Sequence, residues 1–80
     1  MIKLEVCKRL FAADALKNPA VVPEPMKEGK WVIQMEAKQD IWITTTLENR
    51  RGSVREFASI EAAIKTLSDI GFKKAAIHWE

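Results

Sequence analysis

The 80-residue chain predicts an α+β domain. The expected order is an N-terminal helix, a three-stranded antiparallel meander, a C-terminal helix and a final strand pairing parallel with the first, in spatial order 4-1-2-3. Three observations predict it. Across residues 31–47 apolar and polar side chains alternate with the period of half-buried strands. Ile60, Ala63, Ile64, Leu67 and Ile70 recur at three- and four-residue intervals, one apolar stripe of a helix. A short alternation, Ala75, Ile77 and Trp79 against Ala76, His78 and Glu80, follows that helix.

Residues 1–17 hold the first helix. Within residues 4–17, Val6/Cys7, Leu10/Phe11, Ala13 and Leu16/Lys17 repeat at helical spacing, and Ala12, Ala13 and Ala15 favour helix. The competing reading is a strand across Ile2, Leu4 and Val6, which alternate with Lys3 and Glu5, followed by a shorter helix. Residues 18–29 read as a proline-rich linker, because Pro19, Pro23 and Pro25 remove backbone donors and push their neighbours toward extended geometry. Proline-rich segments can also dock on aromatic grooves, but a stiff connector is the simpler reading.

Residues 30–80 form the expected βββαβ core. Trp31, Ile33, Met35 and Ala37 alternate with Val32, Gln34 and Glu36, and the polar turn Lys38-Gln39-Asp40 leads into Ile41, Ile43, Thr45 and Leu47 alternating with Trp42, Thr44 and Thr46. Asn49-Arg50-Arg51-Gly52 reads as the next turn, with Gly52 and also Asn49 able to take positive φ, and residues 53–57 as the third strand. Ser59 is a suitable N-cap and Glu61 suits the positive end of the second helix. Gly71 is placed to end it, with Phe72 folding back in a Schellman motif.

With the meander running up, down and up, the helix returns and the last strand runs parallel to the first, beside it. Trp31, Ile33, Met35, Ile41, Ile43, Phe57 and Ile77 are then expected beneath Ile60, Ile64 and Leu67. The opposite face carries Val32, Gln34, Trp42, Thr44, Thr46, Val54 and His78. Its apolar members call for a cover. The N-terminal helix, a second copy of the chain or a ligand are the candidates.

Eighty residues make one small domain, near the size where pairing between chains often supplies missing burial. The 48% hydrophobic and 30% charged composition, with three Gly and three Pro, is that of a globular chain rather than a disordered one. No run of eighteen apolar residues offers a membrane span, and charges at Lys3, Glu5, Lys8 and Arg9 interrupt any signal-peptide-like stretch. A cytoplasmic setting is expected. Cys7 is the only cysteine, so no internal disulfide forms, and Cys7 with His78 falls short of a zinc ligand set. The net charge of +2 divides into +1 for residues 1–29 and +1 for residues 30–80. A dedicated nucleic-acid binder usually carries a larger basic excess, but Arg50, Arg51 and Arg55 gather in or beside one turn, and Lys73-Lys74 precede the last strand.

Catalysis finds little support. His78 has no evident orienting partner, Cys7 no identifiable activating base, and the carboxylates are scattered among opposing cations. The glycines sit at element boundaries rather than in a phosphate-cradling loop. No cofactor, metal or small-molecule substrate is indicated. The better candidates are Arg50 and Arg51 at a hairpin tip with Arg55 further along, able to grip phosphates or reach base edges, and the sheet face bearing Gln34, Trp42, Thr44 and Thr46, where Trp42 is the kind of aromatic used at interfaces.

A resemblance attaches to residues 47–72, Leu-Glu-Asn-Arg-Arg-Gly-Ser-Val-Arg-Glu-Phe-Ala-Ser-Ile-Glu-Ala-Ala-Ile-Lys-Thr-Leu-Ser-Asp-Ile-Gly-Phe. The Arg-Gly turn, Arg-x-Phe strand and Ser-Ile-Glu-Ala-Ala helix start resemble small proteins carried on bacterial plasmids and other mobile elements. The meander-plus-helix order is also similar to the three-stranded DNA-binding domains of the AP2 and integrase arm-binding type, which lay a sheet in the major groove. The order of helix, strands and helix resembles double-stranded RNA-binding domains too, although their basic final-helix start is missing here. The chain departs from the arm-binding pattern in its low net charge, N-terminal helix and extra strand. The resemblance implies a small accessory protein acting on duplex DNA through Arg50, Arg51, Arg55 and the sheet face. The alternative is a protein-interaction module or homodimer using the Trp42 face or the fourth-strand edge.

Overall fold

The computed structural model describes residues 1–79; Glu80, the expected end of the last strand, lies outside the described residues. The elements follow the order α1 (Leu4–Ala12), β1 (Leu16–Pro23), β2 (Trp31–Gln39), β3 (Ile41–Thr46), α2 (Ile60–Ile70) and β4 (Ala76–Ile77). The sheet order is β3-β2-β1-β4, with β1–β2 and β2–β3 antiparallel and β4 parallel to β1. This is the expected α+β class: a helix, a meander, a second helix and a last strand parallel to the first. The segments filling the meander, however, are displaced by one strand.

The first strand comes from the segment read as a linker. Leu16–Pro23 pairs with β2, Leu16 opposite Ala37 and Val21 opposite Ile33. Pro19 is accommodated because the register shifts between Lys17 and Ala20, where Asn18 takes φ 54°, and Pro23 stands at the strand end. A bulge and a strand terminus are the places where a missing N–H costs least. The true connection is residues 24–30, closed by Glu24 N–H donating to the Lys30 carbonyl at 2.8 Å.

The first helix is correspondingly shorter than residues 1–17. Ala13 is its C-cap and Asp14 turns left-handed at φ 56°, which Asp tolerates better than most residues. Leu16 and Lys17 then belong to β1. Ile2, from the competing strand reading, forms a single parallel bridge to Leu47 before the helix begins.

The expected third strand, residues 53–57, survives only as bridges, Val54 to Glu48 and Phe57 to Trp31. Its residues pair with two different segments, so no continuous ladder develops.

α2 matches its sequence signals. The Ser59 hydroxyl accepts the Ala62 N–H at 3.1 Å. Phe72 N–H reaches the Leu67 carbonyl at 3.1 Å across Gly71, whose φ is 130°. That is the six-to-one bond of a Schellman ending, which needs a residue without a side chain at the positive-φ position. Phe72 then packs edge-on against Phe11, centroids 4.9 Å apart at 75°.

One cluster joins both helices to the same sheet face. Cys7 from α1, Ala63, Leu67 and Ile70 from α2, and Leu16, Val21, Ile33, Met35 and Ala37 from the sheet are all buried in it, with Ile2, Leu47 and Phe57 at its end. Trp31, Ile60 and Ile77 pack against it in part. Three expected core residues stay outside: Ile41 is 68% exposed, Ile43 39% and Ile64 43%. β3 is the sheet's edge, and the contacts of α2 fall on β1 and β2, so the inward-facing side chains of β3 lack a helix above them. Among the described residues both helices lie on this one face; on the opposite face Val32 is nonetheless buried at 4% exposure.

Candidate functional site

The basic turn is built by Asn49. Its backbone N–H donates to the Ser53 carbonyl at 2.7 Å, its carbonyl accepts from Gly52 N–H at 3.2 Å, and its side-chain Oδ1 accepts from the N–H groups of Arg51 (2.9 Å) and Ser53 (3.0 Å). With Gly52 at φ 85°, residues 50–52 form a three-residue hairpin loop closed by a positive-φ glycine; Asn49, the other expected positive-φ position, instead shapes the turn through its side chain. Arg50 and Arg51 occupy its exposed tip. Arg55 is held one step back, where its N–H donates to the Leu47 carbonyl at 2.9 Å and its guanidinium lies 5.0 Å from the Phe57 ring centroid.

The N-terminal segment supplies the facing wall. Ile2 N–H donates to the Thr46 carbonyl at 3.0 Å and Glu48 N–H to the Ile2 carbonyl at 2.7 Å. This pins Lys3, the N-cap of α1, beside the turn, and no side chain caps the helix there. The result is an open cleft of about 910 Å³ lined by Lys3, Arg50, Arg51 and Arg55, with Glu5 and Glu48 among its walls. Among the described residues none of these charges forms an ion pair within 4.0 Å, and the ion pair present is Lys27–Glu56 at 3.1 Å. Free N–H groups and the positive dipole end of α1 add to the potential.

None of the sheet-face candidates lines this cleft. Gln34 and Thr46 are cross-strand partners at the nearer end of β2–β3, and Thr44 faces Glu36. Trp42, opposite Lys38, is four residues down the strand from Thr46, roughly 13 Å away at ~3.3 Å per residue. Its indole is half-buried beneath Lys17, whose Nζ is 4.1 Å from the ring centroid. Asn18 Nδ2 donates to Glu36 Oε2 at 2.6 Å on the same face. The structure therefore groups the three arginines with one another and the four face residues with one another, in two regions. Lys3 was absent from the expected set. Its only sequence signal was its place before the helix, and what brings it to the arginines is the Ile2–Leu47 bridge.

Cys7 and His78 have separate surroundings. The Cys7 thiol is fully buried and donates toward Met35 Sδ at 3.7 Å. Burial pushes its pKa up to about 11, opposed by a smaller backbone hydrogen bond. The folded pKa thus lies above the ordinary value of 9.0, so this thiol stabilises the fold below that value, and the contribution is lost as pH rises through about 11. Unfolding titrations at pH 9 and pH 11 should show the wild type losing about 2 kcal/mol more than Cys7→Ala. Equal losses in both proteins would refute the assignment. His78 is exposed, and its backbone N–H donates to the Val21 carbonyl at 2.9 Å. Among the described residues, no three His, Cys, Asp or Glu side chains converge as metal ligands would, and no helix is long and apolar enough to cross a membrane.

No family model, curated protein or solved structure matches this chain. The cleft's chemistry is therefore the basis for a functional reading.

Proposed function

We propose that this protein is a small non-enzymatic binding module of the cytoplasm that engages duplex DNA through the Lys3–Arg50–Arg51–Arg55 cleft. The observation that carries the reading is the convergence of these four cations on one open cleft without an ion-pair partner. Unpaired cations at such a density repel one another, and an anion that enters relieves the repulsion while releasing counterions. Arg50 and Arg51 sit on a hairpin tip fixed by four hydrogen bonds around Asn49, so they can enter a groove with little loss of backbone freedom. Glu5 and Glu48 keep the site from being indiscriminately cationic, and the low net charge of +2 fits a protein whose affinity resides in one patch. Gln34 and Thr46, at the adjoining end of the sheet, are the polar residues placed to extend the contact. The small mobile-element proteins that residues 47–72 resemble are a compatible setting.

Fluorescence anisotropy with a labelled duplex tests this reading. Log affinity should fall with log salt at a slope of roughly −3 to −4, at about −0.9 per phosphate neutralised. The Arg50→Ala/Arg51→Ala double variant should reduce that slope by about 2 and weaken binding in low salt by on the order of 10- to 100-fold. Absence of binding by the folded wild type in about 50 mM salt would end the proposal.

A further inference from the structure

The unpartnered edge of β3 points to self-association. In the β2–β3 ladder, Leu47 N–H donates to the Ile33 carbonyl at 2.9 Å. Antiparallel alternation then turns the backbone groups of Thr45, Ile43 and Ile41 toward β2 and those of Thr46, Thr44 and Trp42 outward. The Thr46 carbonyl is engaged by Ile2 N–H, and Ile2 occupies the space alongside residues 46–48. The open edge therefore comprises the outward groups of Trp42 and Thr44. Exposed edges are ordinarily guarded by a lysine, a proline or a bulge. Ile41–Thr46 has none of these; its six residues, Ile-Trp-Ile-Thr-Thr-Thr, are uncharged and β-favouring.

We propose that β3 pairs antiparallel with β3 of a second copy of this chain, Ile43 facing Ile43 across a two-fold axis. In this register Trp42 of each copy exchanges both backbone hydrogen bonds with Thr44 of the other, which uses the free groups and stops short of Ile2. Shifting the axis to Thr44 would set Trp42 against Thr46, where Ile2 already sits. Shifting it to Trp42 would bring Thr44 against Asp40, inside the tight turn where Asp40 takes φ 67°. The chosen register also covers the two apolar side chains that no helix of the same chain shields, Ile43 against Ile43 and Ile41 against Thr45. It brings no like charges together, and Glu36 of one copy shares a cross-strand row with Lys38 of the other. A foreign strand could meet the same hydrogen bonds, but the match of both isoleucines about one axis is particular to a second copy. β4, only two residues long, offers far less edge.

The two-fold axis of such a continuous sheet is perpendicular to it, so the two faces away from the helices point the same way and the two basic clefts lie at opposite ends. Asn49 is six residues from Ile43. At ~3.3 Å per residue the clefts are separated by roughly 35–40 Å, close to the ~34–36 Å of one turn of B-DNA. This last step rests on the DNA reading, whereas the pairing itself does not.

Analytical ultracentrifugation of the DNA-free protein tests the pairing. The wild-type mass should climb toward twice the monomer value as concentration rises through the micromolar range, as suits a small interface. Ile43→Lys and Ile43→Glu, both folded by circular dichroism because the site is partly exposed, should each remain monomeric, and their equimolar mixture should recover the dimer. A wild type still monomeric above roughly 100 μM would overturn the proposal, as would single variants that still dimerise, and a mixture that stays monomeric would overturn the Ile43 register. With a duplex of about 24 base pairs, the mixture should bind about tenfold or more tighter than either variant alone. A dimer that ignores duplex DNA in low salt would remove the cleft reading and leave the pairing standing; a monomer that binds it would do the reverse.

Discussion

Leu47→Ala is expected to destabilise the protein by about 3 kcal/mol, within the ~2–5 kcal/mol range of buried leucine truncations, and to weaken the proposed DNA binding by the protein that remains folded. Leu47 is fully buried and is the node at which the cleft is assembled. Its N–H bonds to Ile33, its carbonyl receives Arg55 N–H, and it bridges Ile2. A cavity there removes packing beneath both walls, so Lys3 and Arg55 lose their fixed separation. Chemical denaturation reads the first effect, and anisotropy under conditions where the variant is over nine-tenths folded reads the second. A variant that loses stability yet binds with wild-type affinity would show that the cleft's geometry does not depend on this node.

Gly71→Ala should cost a comparable amount by a different route and leave binding intact once folded. At φ 130° an L side chain is strained, and a Cβ at this position would stand 2.5 Å from Cε1 of Phe11. Backbone strain of ~1–3 kcal/mol and overpacking of ~1–3 kcal/mol together give about 3 kcal/mol, or a fall in Tm on the order of 15 °C for a domain of this size. Pairing the substitution with Phe11→Leu removes the edge of the ring and should recover the overpacking part but not the strain. If the double variant recovers nothing, strain alone accounts for the loss. A Gly71→Ala protein as stable as wild type would show that both the turn and Phe11 can readjust freely.

The elements legible in the sequence are those whose signals are local. Ser59 caps α2, Gly71 ends it, Asn49 and Gly52 shape the arginine turn, and period-two alternation marks β2 and β3. What was illegible depends on long-range pairing. Leu16 and Lys17 suit a helix by spacing, yet in the fold they belong to β1, because a bulge at Asn18-Pro19 lets a proline-bearing segment join the sheet. Ser53 to Phe57 has the composition of a strand, but its partners are divided between Glu48 and Trp31. Ile41 and Ile43 face the helix side as their parity requires. Their exposure follows from β3 being an edge, a property that alternation alone does not encode. Lys3 likewise joined the arginines through a bridge spanning most of the sheet-forming sequence.

That bridge has a kinetic meaning. Joining Ile2 to Leu47 closes a loop of about 45 residues, an entropic toll that only the assembled core offsets, and a nine-residue helix such as α1 is marginal by itself in water. Lys3 is therefore expected to reach its post after β1, β2 and β3 have paired; amide protection of Ile2 appearing before that of the strands would contradict this order. Partly folded chains would display the arginine loop without its facing wall, so the four-cation cleft belongs only to molecules that have completed the whole topology.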